Sequence, residues 1–231
     1  MRLIFWFLLS FVCITPLEAS EQPISFCYEE WEPYSFIDEN NQAVGVSVDY
    51  LKYKLTLANM QYKFSELPFP RCMQLVKSGK IDFILHVDEN DNLQLIKQPI
   101  ADWELTFAVS DKNPMSFEQL MQSKGLNVLV ARSYVYPAII EEKLQQMSAN
   151  VIKVSFYTDE VVALKRLFHR LTVGQGQAMV VDRVWAEQMI KKHHLPIKLF
   201  DQLLVSIPQY IGYIASNKRN GERLSAALSE P

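Results

Sequence analysis

Twice along the chain, a segment with helical spacing runs through a glycine into a short strand that is apolar on both faces. The first passage carries Leu75, Gly79 and the run from Phe83 to Leu85; the second carries Leu167, Gly174 and the run from Met179 to Val181. A strand with no polar face must be covered from above and below, which is the situation of a parallel sheet flanked by helices. Glycine suits the end of the preceding helix because it adopts the left-handed conformation without a Cβ penalty. The same passage used twice predicts two units of one design.

The segments around these passages keep the rhythm. Residues 23–28, 62–67 and 81–87 read as strands. A helix at 47–59 has Val48, Leu51, Leu55 and Ala58 on one stripe, and a second at 70–78 has Pro70 near its start, where the missing N–H costs nothing. Further on, 105–110, 126–131, 151–156, 178–181, 197–200 and 210–215 read as extended. The segments 116–122, 137–147 and 184–193 read as helical, as does a helix capped by Thr158 that runs to His169. Alternation of this kind predicts an α/β fold with helices on both faces of parallel sheets. No Gly/Ser-rich linker occurs, so structured crossings must join the units. A small molecule is expected where the carboxyl ends of the two sets of strands face each other.

The amino terminus bears on the compartment. Arg2 precedes an apolar run over residues 3–14, followed by Thr15, Pro16 and a small-residue exit at Ala19 and Ser20. That is the order of a secretory signal peptide, expected over residues 1–19. The run is shorter than the roughly 20 residues a membrane span requires. Cleavage leaves about 210 residues, enough for one large domain or two small ones. A net charge of −3 offers no basic surface for nucleic acid, and no later segment is apolar for long enough to span a bilayer. A soluble periplasmic monomer is expected.

Cysteine use fits export. Outside the signal segment only Cys27 and Cys72 remain, and in an oxidising compartment they either form a disulfide or sit as buried thiols. No metal site is expected: His193 and His194 are adjacent in sequence, and no Cys-x-x-Cys pair exists. No cofactor motif is present, and neither a Gly-x-Ser-x-Gly nor a cysteine–histidine pairing suggests a catalytic nucleophile.

Three stretches together carry a family resemblance: EEWEPYSFIDENNQAVGVSVDYL, LPFPRCMQLVKSGKIDFILHV and GQGQAMVVDRVWAEQMI. In this order the chain resembles the type II periplasmic binding proteins, specifically the extracellular solute-binding family 3 that serves polar amino-acid importers. The resemblance implies two α/β lobes joined by two crossings, each lobe a mostly parallel sheet flanked by helices. The first lobe would comprise residues 21–108 plus 206–231, and the second 109–205. It also implies a small-molecule ligand and a membrane partner, either an ABC permease or a receptor. In that family a further helix usually follows and packs on the first lobe, whereas this sequence stops at Pro231.

The implied ligand contacts fall on definite residues, each with a structural alternative. Trp31 and Tyr34 lie in the aromatic loop after the first strand, where their rings would stack on a ligand or hold a cation, or else pack under the loop. Asp182, at the end of an apolar strand, matches the position that pairs with a ligand ammonium, and it equally suits the N-cap of the next helix. Arg132, Ser133 and Tyr134 fill a strand-to-helix turn able to hold an anionic group, or they amount to a surface arginine with a capping serine.

The sequence also departs from the family. Amino-acid binders carry an arginine shortly after the strand equivalent to 81–87, where it grips the ligand carboxylate. Here the stretch reads HVDENDNLQLIKQP, with Asn90 or Asn92 in that place. Arg71 offers a substitute if it points into the cleft near His86 and Asp88; otherwise it makes a surface ion pair. Gln177 replaces an acidic residue common at the start of the late strand, a position read as structural. The alternatives to transport are a dehydratase of a cyclic carboxylic acid, with Glu30 or Asp88 as the acid and Arg71 and Arg132 as anchors, and a sensory protein that delivers its ligand to a receptor.

Overall fold

The computed structural model describes residues 22–132, 134–155 and 161–229. The signal segment, Ser133 and Thr158 lie outside the described residues.

In chain order the elements are β1 (Ile24–Tyr28), β2 (Phe36–Ile37), β3 (Ala43–Val44), α1 (Val46–Leu57), β4 (Tyr62–Glu66), α2 (Phe69–Lys77), β5 (Phe83–Val87), β6 (Gln94–Leu95) and β7 (Ala101–Ser110). There follow α3 (Phe117–Gln122), β8 (Asn127–Ala131), α4 (Ala138–Gln146), β9 (Asn150–Val154) and α5 (Val161–Thr172). The last are β10 (Ala178–Asp182), α6 (Arg183–His193), β11 (Ile197–Leu199), β12 (Val205–Tyr213) and α7 (Lys218–Ser229).

The expected repetition is visible in the topology. β1 is central, with β4 and β5 parallel on either side; β8 is central, with β9 and β10 parallel on either side. Each trio is extended by one antiparallel strand, β12 beside β5 and β7 beside β10. β7 and β12 also pair with each other, so the path runs β4-β1-β5-β12-β7-β10-β8-β9. Separate cores support the two trios. One gathers Phe26, Leu51, Leu55, Phe83 and Leu85; the others gather Phe107, Val128 and Val180 on one face of the second trio and Leu129, Phe168 and Met179 on its opposite face.

Each trio is pinned at its amino end by the residue just before its third strand. Asp82 Oδ2 accepts from the Ser25 backbone N–H (2.8 Å) and from Ser25 Oγ (2.6 Å), tying the start of β5 to β1. Gln177 Oε1 accepts from the Asn127 backbone N–H (2.7 Å), tying the start of β10 to β8. An amide oxygen can accept the same bond, without the added strength that a charged carboxylate gives it. Asp82 does more, because Oδ1 also accepts from the side chains of Asn217 (3.2 Å) and Asn220 (3.0 Å).

Those asparagines belong to the final turn and α7, for which the sequence reading assigns no element. The helix packs Leu224 and Leu228 into the first core. Its few apolar positions and the internal Gly221 hide it. That glycine is needed, since a Cβ would come within 2.4 Å of the Tyr213 ring.

Two strands extend beyond their predicted starts. β7 begins at Ala101 rather than Leu105, and β12 at Val205 rather than Tyr210. The added residues include Asp102, Glu104, Ser206, Pro208 and Gln209, which pair with the opposing strand and have no apolar run to announce them. Cys27 and Cys72 are joined by a disulfide with a Cα–Cα distance of 5.5 Å, linking β1 to α2.

Since Asp82 is a charged acceptor with four donors, Asp82→Ala should lower stability by about 2–3 kcal/mol, and Gln177→Ala by about 1 kcal/mol. Urea unfolding of both variants checks the order; equal losses would mean that α7 gains nothing from Asp82.

Candidate functional site

The carboxyl ends of β1, β5 and β8 lead toward the space between the two trios, while β10 passes directly into α6. In that space lies a cavity of about 350 Å³, lined from one side by Glu29, Glu30, Trp31, Phe69, Leu85 and His86, and from the other by Trp103, Tyr134 and Val135, with Gln209 at the crossing.

Trp31 is held by a tight turn. Its backbone N–H donates to the Ser35 carbonyl (2.7 Å), and the Tyr34 N–H donates back to the Trp31 carbonyl (2.7 Å). The turn then caps α1, whose first N–H groups would otherwise lack partners: Val46 donates to Pro33 O and Ser47 to Tyr34 O, both at 3.0 Å. This close seating depends on Gly45. Its φ is +116°, and a Cβ there would lie 2.6 Å from the Tyr34 carbonyl.

His86 fastens the same turn to β5. Its φ of 59° is left-handed, a strained state for a non-glycine residue. Nε2 lies 3.1 Å from Ser47 Oγ, and Nδ1 lies 3.3 Å from Ser35 Oγ. Ser47 Oγ donates to Ile100 O (3.0 Å), so it accepts from Nε2, while the single Ser35 hydroxyl proton serves either Glu29 O (3.2 Å) or Nδ1. Burial pushes the histidine pKa down to about 3, in keeping with a neutral ring. The imidazole meets the Trp31 indole edge-on, with centroids 4.8 Å apart.

Asp182 ends β10 and is only 2 % exposed. Oδ1 accepts from the Trp185 N–H (2.8 Å) as the N-cap of α6, and Oδ2 accepts from the Trp31 indole Nε1 (3.2 Å). Of the two alternatives posed for this residue, the structure shows the helix cap; the same side chain also reaches across to the opposite trio through Trp31 and does not itself line the cavity. Burial raises its pKa to about 6, against the lowering effect of the two N–H donors. Nearby, Arg183 is occupied by Glu104, to which its Nε donates at 2.6 Å.

The other predicted residues divide. Tyr34 lies tilted against Trp31, with centroids 4.5 Å apart and planes at 40°, and is not among the residues lining the cavity. Burial raises its phenol to about 12. Tyr134 lines the cavity, 6.2 Å from the Trp103 ring, and burial raises its pKa strongly. Arg132 is exposed and lines a neighbouring cavity under α4. Arg71 does not line the central cavity; it is exposed and bonds to Gln74 one turn on. Asp88 is also outside, accepting from the Asn90 N–H (2.7 Å) as the cap of a short 3₁₀ turn. Trp103 and Gln209, absent from the sequence-derived set, line the cavity from the crossing strands. No group of three or more His, Cys, Asp or Glu able to hold a metal occurs among the described residues.

A family model described as bacterial extracellular solute-binding proteins, family 3, matches residues 24–183. A comparison with curated protein sequences gives no match. Among solved structures, a histidine kinase sensor domain similar to periplasmic binding proteins aligns with TM-score 0.67 and 16 % identity, covering 90 % of this chain and 89 % of that one. The arginine-bound form of truncated ArgBP from T. maritima aligns with TM-score 0.63 and 20 % identity over 89 % and 94 %. An ancestral amino acid-binding protein, a precursor of cyclohexadienyl dehydratase, aligns with TM-score 0.63 and 16 % identity over 89 % and 87 %. These likenesses establish the two-lobed binding-protein fold.

Two outcomes are expected from the site's geometry. Gly45→Ala should lower stability by about 1–3 kcal/mol through strain and the carbonyl clash, and should displace Trp31; urea unfolding and tryptophan fluorescence check it, and an unchanged emission spectrum would contradict it. The second concerns pH. A carboxylate whose pKa is raised on folding takes up protons on folding between its unfolded and folded values, so its contribution to stability falls as pH rises through that window. The wild type should therefore lose on the order of 2–3 kcal/mol relative to Asp182→Asn between pH 4 and pH 7. His86 has the opposite slope below pH 6.5 but is common to both proteins and cancels. Parallel unfolding curves across that range would refute the assignment.

Proposed function

The chain belongs to the bacterial extracellular solute-binding proteins, family 3, and from that membership we propose that it captures a small polar, amino-acid-like solute in the central cavity and presents it to a membrane partner. The observation that carries this reading is the position of the cavity. It lies at the facing carboxyl ends of two like strand trios and draws its lining from both. A solute there contacts both sides at once, so it favours whichever arrangement brings them together.

The proposed lobes are residues 21–108 plus 206–231 and residues 109–205, moving about the paired strands β7 and β12. The chain acts in the periplasm after loss of its signal peptide, as a monomer, and delivers its solute to an ABC permease. Trp31 and Tyr134 contact the solute directly. Asp182 acts on it through Trp31, and His86 fixes the floor on which Trp31 sits. Binding rather than turnover is favoured by the surroundings of Glu30. A dehydratase acting on a carboxylic acid needs cationic anchors near its general acid, and the cavity lining among the described residues contains no lysine or arginine.

Thermal-shift screening of the mature chain against amino acids, small peptides, amines and carboxylates tests the reading. A solute at a hundred times its dissociation constant adds about 2.7 kcal/mol, or roughly 5–10 °C for a chain of this size. At least one solute should do so, and Trp31→Ala should reduce its shift. Chemical conversion of that solute, seen by mass spectrometry, would replace binding with catalysis.

A further inference from the structure

The charge of the cavity narrows the class of solute, given that the chain binds one there at all. We infer that the solute is an organic cation whose recognition does not require a carboxylate: an amine or guanidinium on a compact apolar or aromatic body. This inference rests on the solute-binding function proposed above.

The lining supplies what a cation needs. Glu29 and Glu30 stand at the end of β1, and the rings of Trp31, Trp103 and Tyr134 form the walls. Glu29 keeps one oxygen on the Phe69 backbone N–H (3.1 Å), which fixes the carboxylate beside the cavity. Behind Trp31, Oδ2 of Asp182 is hydrogen-bonded to the indole. Ring faces attract a desolvated cation through their quadrupole, and a neighbouring carboxylate adds to the pull.

Among the described residues, the same lining has no cationic partner for an α-carboxylate. The charged partners of a carboxylate in a desolvated site are guanidinium forks and ammonium groups. Each arginine near the cavity is turned elsewhere: Arg71 to Gln74, Arg132 to the adjoining cavity, and Arg183 to Glu104. His86 is neutral and has both ring nitrogens engaged by serines. Gln209 is 6 % exposed and donates to Ile207 O (3.4 Å), and the Tyr134 hydroxyl and Trp103 indole N–H are neutral donors. An amino acid entering this cavity would leave its carboxylate without a charged partner, a penalty that its decarboxylated counterpart avoids.

Matched pairs of solutes test this directly. Calorimetric titration of the mature chain with arginine and agmatine, lysine and cadaverine, and tyrosine and tyramine compares each amino acid with the same molecule lacking its carboxylate. For the pair that binds, the amine should be tighter than the amino acid, or within threefold of it, and Glu30→Gln should weaken the amine by roughly fivefold. An amino acid more than threefold tighter than its amine would overturn the inference, as would loss of binding in Arg71→Ala or Arg132→Ala with the fold intact by circular dichroism. If simple carboxylates bind while both members of every pair fail, the inference falls and the binding reading survives. If no solute of any class binds, both fall.

Discussion

The pairing of β7 with β12 is the constraint on which the site depends. From Ala101 to Leu105 and from Val205 to Gln209 the two strands are bonded to each other. Beyond that stretch they part: β12 passes to β5 through an irregularity between Tyr210 and Ile211, while β7 passes to β10. Each trio thus receives its antiparallel strand from the same pair. The trios therefore meet with the carboxyl ends of their parallel strands turned inward, where ligands of open α/β sheets gather. Trp103 and Gln209 reach the cavity because they sit on that shared pair.

Around this frame the site is built by satisfying backbone groups that the folds of the loops leave over. The turn at Trp31 to Ser35 answers the open N–H groups of α1, Asp182 answers those of α6, and the serines of the first trio answer both nitrogens of His86. None of these partners is spare. Trp31 is consequently held from behind by bonds that also close helices, which makes this wall of the cavity a property of the fold. A side chain whose rotamer is fixed in this way loses little further freedom when a ligand arrives.

Much of this is legible in the sequence, and the exceptions have physical causes. The apolar strands and their glycine turns announce the two trios, and the family-like order of EEWEPYS and MVVDR points to Trp31 and Asp182. The sequence suggests Arg71 as a cleft residue, but its neighbour Cys72 is drawn inward by the disulfide to Cys27. One residue earlier on a helix is about 100° around the axis, so Arg71 faces solvent. Asp88, another candidate for the ligand, is spent on a turn, because a short carboxylate two residues before an N–H caps it readily. Trp103 and Gln209 go unannounced because the crossing strands alternate polar and apolar residues without burying a continuous face.

The bond from Trp31 to Asp182 joins these points. A carboxylate that lines the cavity directly, as those of Glu29 and Glu30 do, is solvated when the cavity is empty, and part of its attraction for a cation is offset by lost hydration. The Asp182 carboxylate is already desolvated, and its raised pKa records that cost. Its charge falls on the indole N–H rather than on water, and donation to an anion polarises the ring toward greater electron density. The solute then meets an aromatic surface carrying part of a negative charge whose hydration was surrendered during folding. A cation gains from such a surface without displacing ordered water from a carboxylate, whereas an anion finds it repulsive. If the cavity binds an organic cation, as proposed, the interaction that bridges the two trios also sets the sign of the charge it accepts.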